Sequence, residues 1–319
     1  MFKKVLIVGM GSAGRRYLKI IKELGVERVD VLRSGKSTIQ DEIIPAPDNI
    51  YFDSAECFQN AYDLVLVCTP SSLHYKYIMQ GIESGANILS EKPVSDNLDD
   101  LFKIKDAADS KGVKVGVCHN LRYHPALINL KMNYESGLFG EAICSSVHFC
   151  AYLPDWHPWE DYKISYAAKK VLGGGSALTH IHELDYLNWI FGKPVKFNGI
   201  KAHKSFIGTD VDECSIINVE YESGMISQLL LSLNTKPPKR DFFVYFTKGR
   251  VEIDLVSGNT EYFSIHDEVL NFEKELKGFN FENTYRDMIL DFYRMVKDGR
   301  SNVCTIEDAI ESTKIVTGI

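Results

Sequence analysis

Short apolar runs alternate with helical-period stretches over about the first 120 residues. Val5–Val8 is a β-branched run that ends in glycines, and Gly14 to Leu24 carries an amphipathic helical period stopped by Gly25. Val29–Leu32 and Leu64–Cys68 read as further short strands, the second closed by Thr69-Pro70. Tyr75–Ser84 reads as a helix stopped by Gly85, and Asn87–Ser90 as the next strand. Leu98–Ser110 reads as a helix capped by Ser95 or Asp96, and Val113–Cys118 as a strand. Buried-type strands separated by helices predict an α/β domain built on a parallel, doubly wound sheet.

The period changes after His119. The strands become longer and alternate in polarity: Ala142–Tyr152, Val195–Ala202, Cys214–Tyr221, Met225–Leu233, Phe242–Thr247 and Gly249–Leu255. Glu222-Ser223-Gly224 and Thr247-Lys248-Gly249 read as hairpin turns. One helical segment, Leu178–Ile190, interrupts the strands, and two more, Asn283–Lys297 and Ile306–Thr317, follow them. The pattern predicts residues 1–120 as a nucleotide-binding domain and 121–319 as an α+β substrate domain with a mostly antiparallel sheet.

A length of 319 residues suits two domains. Apolar residues at 45% and charged residues at 25% describe an ordinary globular chain. A net charge of −7 argues against a nucleic-acid partner, and no apolar run is long enough to span a membrane. The seven cysteines form no Cys-x-x-Cys pair, so free thiols are expected, with no metal site. The apolar run before Gly9 is too short for a signal-peptide core, which together with the thiols suggests a cytoplasmic protein.

Candidate chemistry starts at Gly9-Met10-Gly11-Ser12-Ala13-Gly14, a G-x-G-x-x-G that follows a strand and opens a helix. The first glycine permits a tight turn, the second lets a pyrophosphate approach, and the third lets helix and strand pack. The Ser12 and Ala13 amides then stand at the helix N-terminus, where phosphates bind. The second strand ends in Arg33-Ser34-Gly35-Lys36, and its only acid, Asp30, lies inside the strand. Arg33, Ser34 and Lys36 suit a ribose 2′-phosphate, so NADP is favoured over NAD. Glu91-Lys92-Pro93 stands directly after a strand, where ligands of such sheets collect, and a lysine there can serve in proton transfer.

These motifs occur in order with Cys68-Thr69-Pro70-Ser71-Ser72-Leu73-His74, Asn120-Leu121-Arg122-Tyr123-His124-Pro125 and Gly173-Gly174-Gly175…His182-Glu183-Leu184-Asp185. The series resembles the glucose–fructose oxidoreductase, inositol dehydrogenase and MocA family along nearly the whole chain. The resemblance implies a Rossmann domain followed by a domain whose large open sheet forms an oligomer contact, hence a homodimer or homotetramer. It implies NAD(P)-dependent oxidation of a sugar, sugar nucleotide or cyclitol. It implies that Thr69, Pro70, His74, Glu91 and Lys92 line the cofactor, with Lys92 and His182 catalytic. Many relatives carry an aspartate one turn before that histidine, where this chain has Thr179 and His180. Asp185 is a candidate for orienting His182.

The segment Tyr152 to Tyr162 holds two of the three tryptophans beside prolines. Tyr152, Trp156, His157, Trp159, Tyr166 and Lys169, with Arg122, Thr179 and His182, are therefore candidate substrate contacts. The aromatic loop and Thr179 resemble family members of bacterial surface-sugar biosynthesis. Two alternatives stay open: a redox enzyme that retains its cofactor through turnover, and a cofactor-binding regulator without activity.

Overall fold

The computed structural model describes residues 1–35, 43–156, 161–202, 204–265 and 279–319. The chain divides into two compact units, Met1–Asn120 with Tyr285–Ile310, and Leu121–Thr284 with Glu311–Ile319.

In chain order the first unit holds β1 (Lys4–Val8), α1 (Ser12–Glu23), β2 (Arg28–Leu32), β3 (Asn49–Tyr51), α2 (Ser54–Cys57), β4 (Leu64–Val67), α3 (His74–Glu83), β5 (Asn87–Ser90), α4 (Leu98–Lys111) and β6 (Val115–Val117). The strands pair in parallel in the order β6-β5-β4-β1-β2-β3. Every residue of β4 is fully buried, as expected of a parallel strand covered on both faces.

Residues 121–319 do not all fold as one domain, because Cys304–Thr305 adds antiparallel to β6. Phe292, from the preceding helix, lies only 2.8 Å from where a Cβ on Gly116 would sit. That close approach seals Tyr285–Ile310 into the first unit. Asn97 caps α4 by accepting the Asp99 N–H at 3.0 Å, whereas Ser95 and Asp96 do not cap it. Ser95 instead accepts the Asn97 N–H and donates to Asp100.

The second unit begins with α5 (Pro125–Glu135), which the sequence reading overlooked although His124 caps it and Pro125 opens it. Then come β7 (Ala142–Tyr152), α6 (Ser176–Thr179), α7 (His182–Phe191), β8 (Pro194–Lys201), β9 (Cys214–Tyr221), β10 (Ile226–Ser232), β11 (Asn234–Phe246), β12 (Gly249–Asp254) and β13 (Thr260–Ser264). They form one sheet in the order β13-β12-β11-β7-β10-β9-β8, antiparallel throughout except for the β7–β10 pair.

Val147, Ile217, Leu229, Phe242 and Val251 cover one sheet face and share a core with Leu127, Leu184 and Leu187. The opposite face leaves Ile216 and Tyr245 exposed. The single helix expected over Leu178–Ile190 is two helices, broken at His180-Ile181. β11 starts eight residues earlier than the apolar pattern suggests, because Lys236-Pro237-Pro238-Lys239 hides the strand.

Candidate active site

In the first unit the glycine turn joins β1 to α1. Gly9 has φ of +95°, and a Cβ there would sit 2.7 Å from the Cys68 carbonyl oxygen. A Cβ on Gly14 would overlap the Gly9 carbonyl. Gly11 differs, because among the described residues beyond its chain neighbours no atom lies within 4 Å of its missing Cβ. Gly11 is also the N-cap of α1 and has no side chain with which to cap it. The first amides of the helix, including Ser12 and Ala13, therefore have no side-chain cap, and the backbone stays open to a ligand. That arrangement fits a dinucleotide pyrophosphate.

Asp30 is fully buried and accepts hydrogen bonds from Arg28, Asn49 and Tyr62. Burial alone would raise its pKa, but these bonds outweigh it and hold the carboxyl below its ordinary value. Asp30 is thus a strand-pinning residue. Beyond β2 stand a half-buried Arg33 and an exposed Ser34, while Lys36 falls outside the described residues.

Thr69 and Pro70 follow β4, and His74 sits beneath them, 1% exposed. Its ring nitrogens lie 2.7 Å from the Thr69 carbonyl oxygen and 2.8 Å from that of Pro93. Burial pushes its pKa below the usual histidine value, against those two contacts. His74 was expected to touch cofactor; instead it is buried between the Thr69 and Pro93 carbonyls, and its neutral ring has one N–H to donate to one of them.

Between these loops stands Lys92, half-buried just past β5. The preceding Glu91 accepts the Tyr17 hydroxyl at 2.8 Å on one oxygen and the Lys92 backbone N–H at 3.2 Å on the other. Tyr17 was not singled out from sequence, since nothing local links position 17 to position 91.

In the second unit His182 opens α7 and is half-buried. Arg122 was expected to reach substrate, but it is 3% exposed and grips Asp185 through Nε at 2.9 Å and a terminal nitrogen at 2.8 Å. Asp185 therefore holds α7 to the turn before α5, rather than simply orienting His182. Glu183, also buried, pairs with Arg240 of β11, whose guanidinium lies 4.2 Å from the Phe149 ring centroid. His180 packs on Phe149 with ring centroids 4.2 Å apart, and Thr179 is 2% exposed.

The glycine triplet has a steric cause. A Cβ on Gly174 would stand 2.5 Å from the Tyr166 carbonyl oxygen, and Gly175 has φ of +113°. Asp212 crosses over to accept the Ser176 N–H at 2.9 Å and the Ser176 hydroxyl at 2.6 Å, capping α6 from 36 residues away. Next to it the buried Glu213 accepts bonds from Ser205, the Phe206 and Ile207 amides, Thr209 and Asn234. Burial would raise its pKa, but these donors win and hold the carboxyl at about 2.

The aromatic segment is partly a core of its own. Trp156, Tyr162 and Tyr166 pack around Leu153, Ala167 and Ala168, and the Tyr162 hydroxyl donates to the Ile207 carbonyl at 2.7 Å. The Lys236 ammonium lies 4.3 Å from the Tyr152 ring centroid and pairs with Asp155. Lys169 is half-buried, and His157 and Trp159 fall outside the described residues.

The sequence matches the model of an oxidoreductase family with an NAD-binding Rossmann fold over residues 3–119, and that of the GFO/IDH/MocA C-terminal domain over residues 128–252. It is 25% identical over 283 residues to a 2,7-anhydro-N-acetylneuraminate hydratase of Mediterraneibacter gnavus, covering 82% of this chain and 72% of that one. It is 28% identical over 198 residues to a scyllo-inositol 2-dehydrogenase (NADP(+)) of Bacillus subtilis, covering 60% of this chain and about half, 52%, of that one. The fold is similar to the WlbA dehydrogenase of Bordetella pertussis, solved with NADH and UDP-GlcNAcA. That match has a TM-score of 0.83 and 17% identity over 100% of this chain and 95% of that one. With both family models matched, the chain belongs to the GFO/IDH/MocA family of NAD-binding oxidoreductases.

Proposed function

We propose that the protein is an NAD(P)-dependent dehydrogenase acting on a secondary alcohol of a sugar, sugar nucleotide or cyclitol. The observation that carries this reading is in the first unit. The open turn at Gly11 and the side chain of Lys92 both stand past the carboxyl ends of parallel strands, β1 and β5. The turn Gly9 to Gly14 would hold the pyrophosphate. When bound, the nicotinamide C4 supplies the hydride acceptor or donor. His182 takes the hydroxyl proton on its imidazole, a group that exchanges protons near neutral pH. Lys92 Nζ serves to stabilise negative charge that develops on the substrate.

NADP is the preferred cofactor in this reading. Asp30 is already held by three partners, so Arg33 and Ser34 are left to meet the ribose, and a 2′-phosphate suits them better than a 2′-hydroxyl. A nucleotide sugar of surface-sugar biosynthesis is the favoured substrate. The support is the aromatic patch around Trp156 and Tyr166, beside Lys169, and the UDP-GlcNAcA bound by the structural neighbour. Titrating both cofactors and following absorbance at 340 nm with sugars, nucleotide sugars and cyclitols tests this. Lys92→Ala and His182→Ala should each cut kcat by about a hundredfold or more with cofactor binding kept. Tighter NAD binding would contradict the NADP assignment, and full turnover in both variants would contradict the catalytic one.

One observation favours a second reading, in which the cofactor is reduced and reoxidised within each turnover. A relative is a hydratase, and adding water to a sugar leaves no net redox change. Substrate conversion without any change at 340 nm would establish it.

A further inference from the structure

Tyr17 lies on the helix that begins at the glycine turn, three residues past Gly14, and is fully buried. Its ring meets Tyr285 edge-on, with centroids 5.9 Å apart, a packing role that phenylalanine would fill equally well. Its hydroxyl does something phenylalanine could not. It donates at 2.8 Å to Glu91 Oε1, and Glu91 Oε2 accepts the Lys92 backbone N–H at 3.2 Å. A hydrogen bond to a carboxylate is stronger than one between neutral groups.

The Glu91 amide itself is fixed to the Val67 carbonyl at 2.8 Å. On the far side of Lys92, the His74 ring packs against the Pro93 carbonyl, 2.8 Å away. Lys92 is therefore clamped before and after, and the clamp on the Glu91 side is closed by a hydroxyl from the cofactor-loop helix.

We infer that Tyr17 is a positioning residue: through Glu91 it sets the backbone of Lys92, so that the helix opened by the glycine turn also fixes where the lysine side chain starts. The thiols of Cys68 and Cys118, at the ends of β4 and β6, also lie near Tyr17, and burial pushes both well above the usual thiol range. They are neutral, weak donors and poor substitutes for the phenol. Without the hydroxyl the carboxylate loses its bond to Tyr17 and turns, releasing the Lys92 amide. A misplacement of about 1 Å in a catalytic group can cost up to a hundredfold in rate.

The inference rests on Lys92 acting on the substrate, and two measurements separate its failure from that of the parent reading. The first needs no substrate: hydrogen exchange of the full-length protein, read at the Lys92 amide. In Tyr17→Phe that amide should exchange about tenfold faster or more, while the amides inside α1 and β5 keep their protection. Glu91→Ala should give the same acceleration, and the double variant no more than either. Unchanged exchange at Lys92 in Tyr17→Phe overturns the inference, as does loss of protection spread evenly through the first unit.

The second measurement is a kinetic cycle with Lys92→Met, on whichever sugar of the panel the wild-type enzyme oxidises fastest. Tyr17→Phe should lower kcat about tenfold with cofactor Kd kept, and should have no effect once Lys92 is methionine. An effect of the same size in the Lys92→Met background overturns the inference. Wild-type kcat in Lys92→Met overturns the catalytic reading of Lys92 and leaves the exchange result to judge the clamp alone.

Discussion

The two units hold their candidate chemistry in opposite ways. In the first, the glycine turn rests on backbone: tight glycines, a close carbonyl and a capless helix start. In the second, His182 stands on a helix held by side chains from distant positions. Arg122 grips Asp185, Arg240 pairs with Glu183, and Asp212 caps α6. A cofactor shared by many enzymes can be met by a backbone motif that tolerates little variation. A substrate pocket that differs between relatives is better assembled from polar side chains, which can be exchanged one pair at a time.

That contrast can be broken by substitution. The largest effect should come from Asp185→Ala, which removes the carboxylate that grips the buried Arg122 guanidinium. Urea unfolding should show a loss of about 3–5 kcal/mol. If the loss is no greater than that of an exposed pair, the second unit does not depend on the ion pair.

Acid should find the second unit through two groups. His124 is fully buried, and burial chiefly, helped by Arg240, holds its pKa at about 4 against an ordinary 6.5. The folded state binds that proton less readily than the unfolded one, so stability falls as pH drops from about 6.5 to about 4. Glu213 has the opposite logic with the same consequence lower down. Its pKa is held at about 2 against 4.5, so its contribution is present above pH 4.5 and is lost toward pH 2. Each window is worth about 3 kcal/mol. Unfolding of the wild type should show both declines, and His124→Gln should remove the upper one alone. A single decline confined to pH below 4.5 would contradict the account of His124.

Smaller effects should mark the first unit. Asn97→Ala removes the cap of α4 and should cost about 1 kcal/mol, read as a lowered Tm. Gly11→Ala should cost least in stability, because its Cβ meets nothing and the backbone there, at φ −72°, suits any residue. It should nevertheless weaken cofactor binding by about tenfold or more, since the methyl enters the space a pyrophosphate needs. Unchanged cofactor affinity would break the assignment of the turn.

The same contrast explains what the sequence could tell. The strand–helix alternation, the glycine turn and the place of Lys92 just after β5 are legible because each is written in a few adjacent residues, whereas the Tyr17–Glu91 bond is not. The start of α6 at Ser176 is not legible either, because the side chain that caps it, Asp212, comes from 36 residues away. Arg122 and His74 looked like ligand contacts because their residue types suit ligands. Both are buried against protein partners that no local pattern reveals. The helix Pro125–Glu135 was legible and overlooked, since His124-Pro125 is a cap followed by a proline at the first helical position. The swap of Tyr285–Ile310 into the first unit had no local signal, because Phe292 packs against Gly116 and Phe2, both far away in the chain.

The central claim is a net hydride transfer to or from nicotinamide. Its most direct measurement pairs absorbance at 340 nm with mass analysis of the sugar in the same reaction, under excess NADP or NAD. The account predicts an absorbance change equal to the sugar converted, and loss of both signals together in Lys92→Ala and His182→Ala. Sugar converted with no absorbance change, or conversion that survives both substitutions, would contradict it.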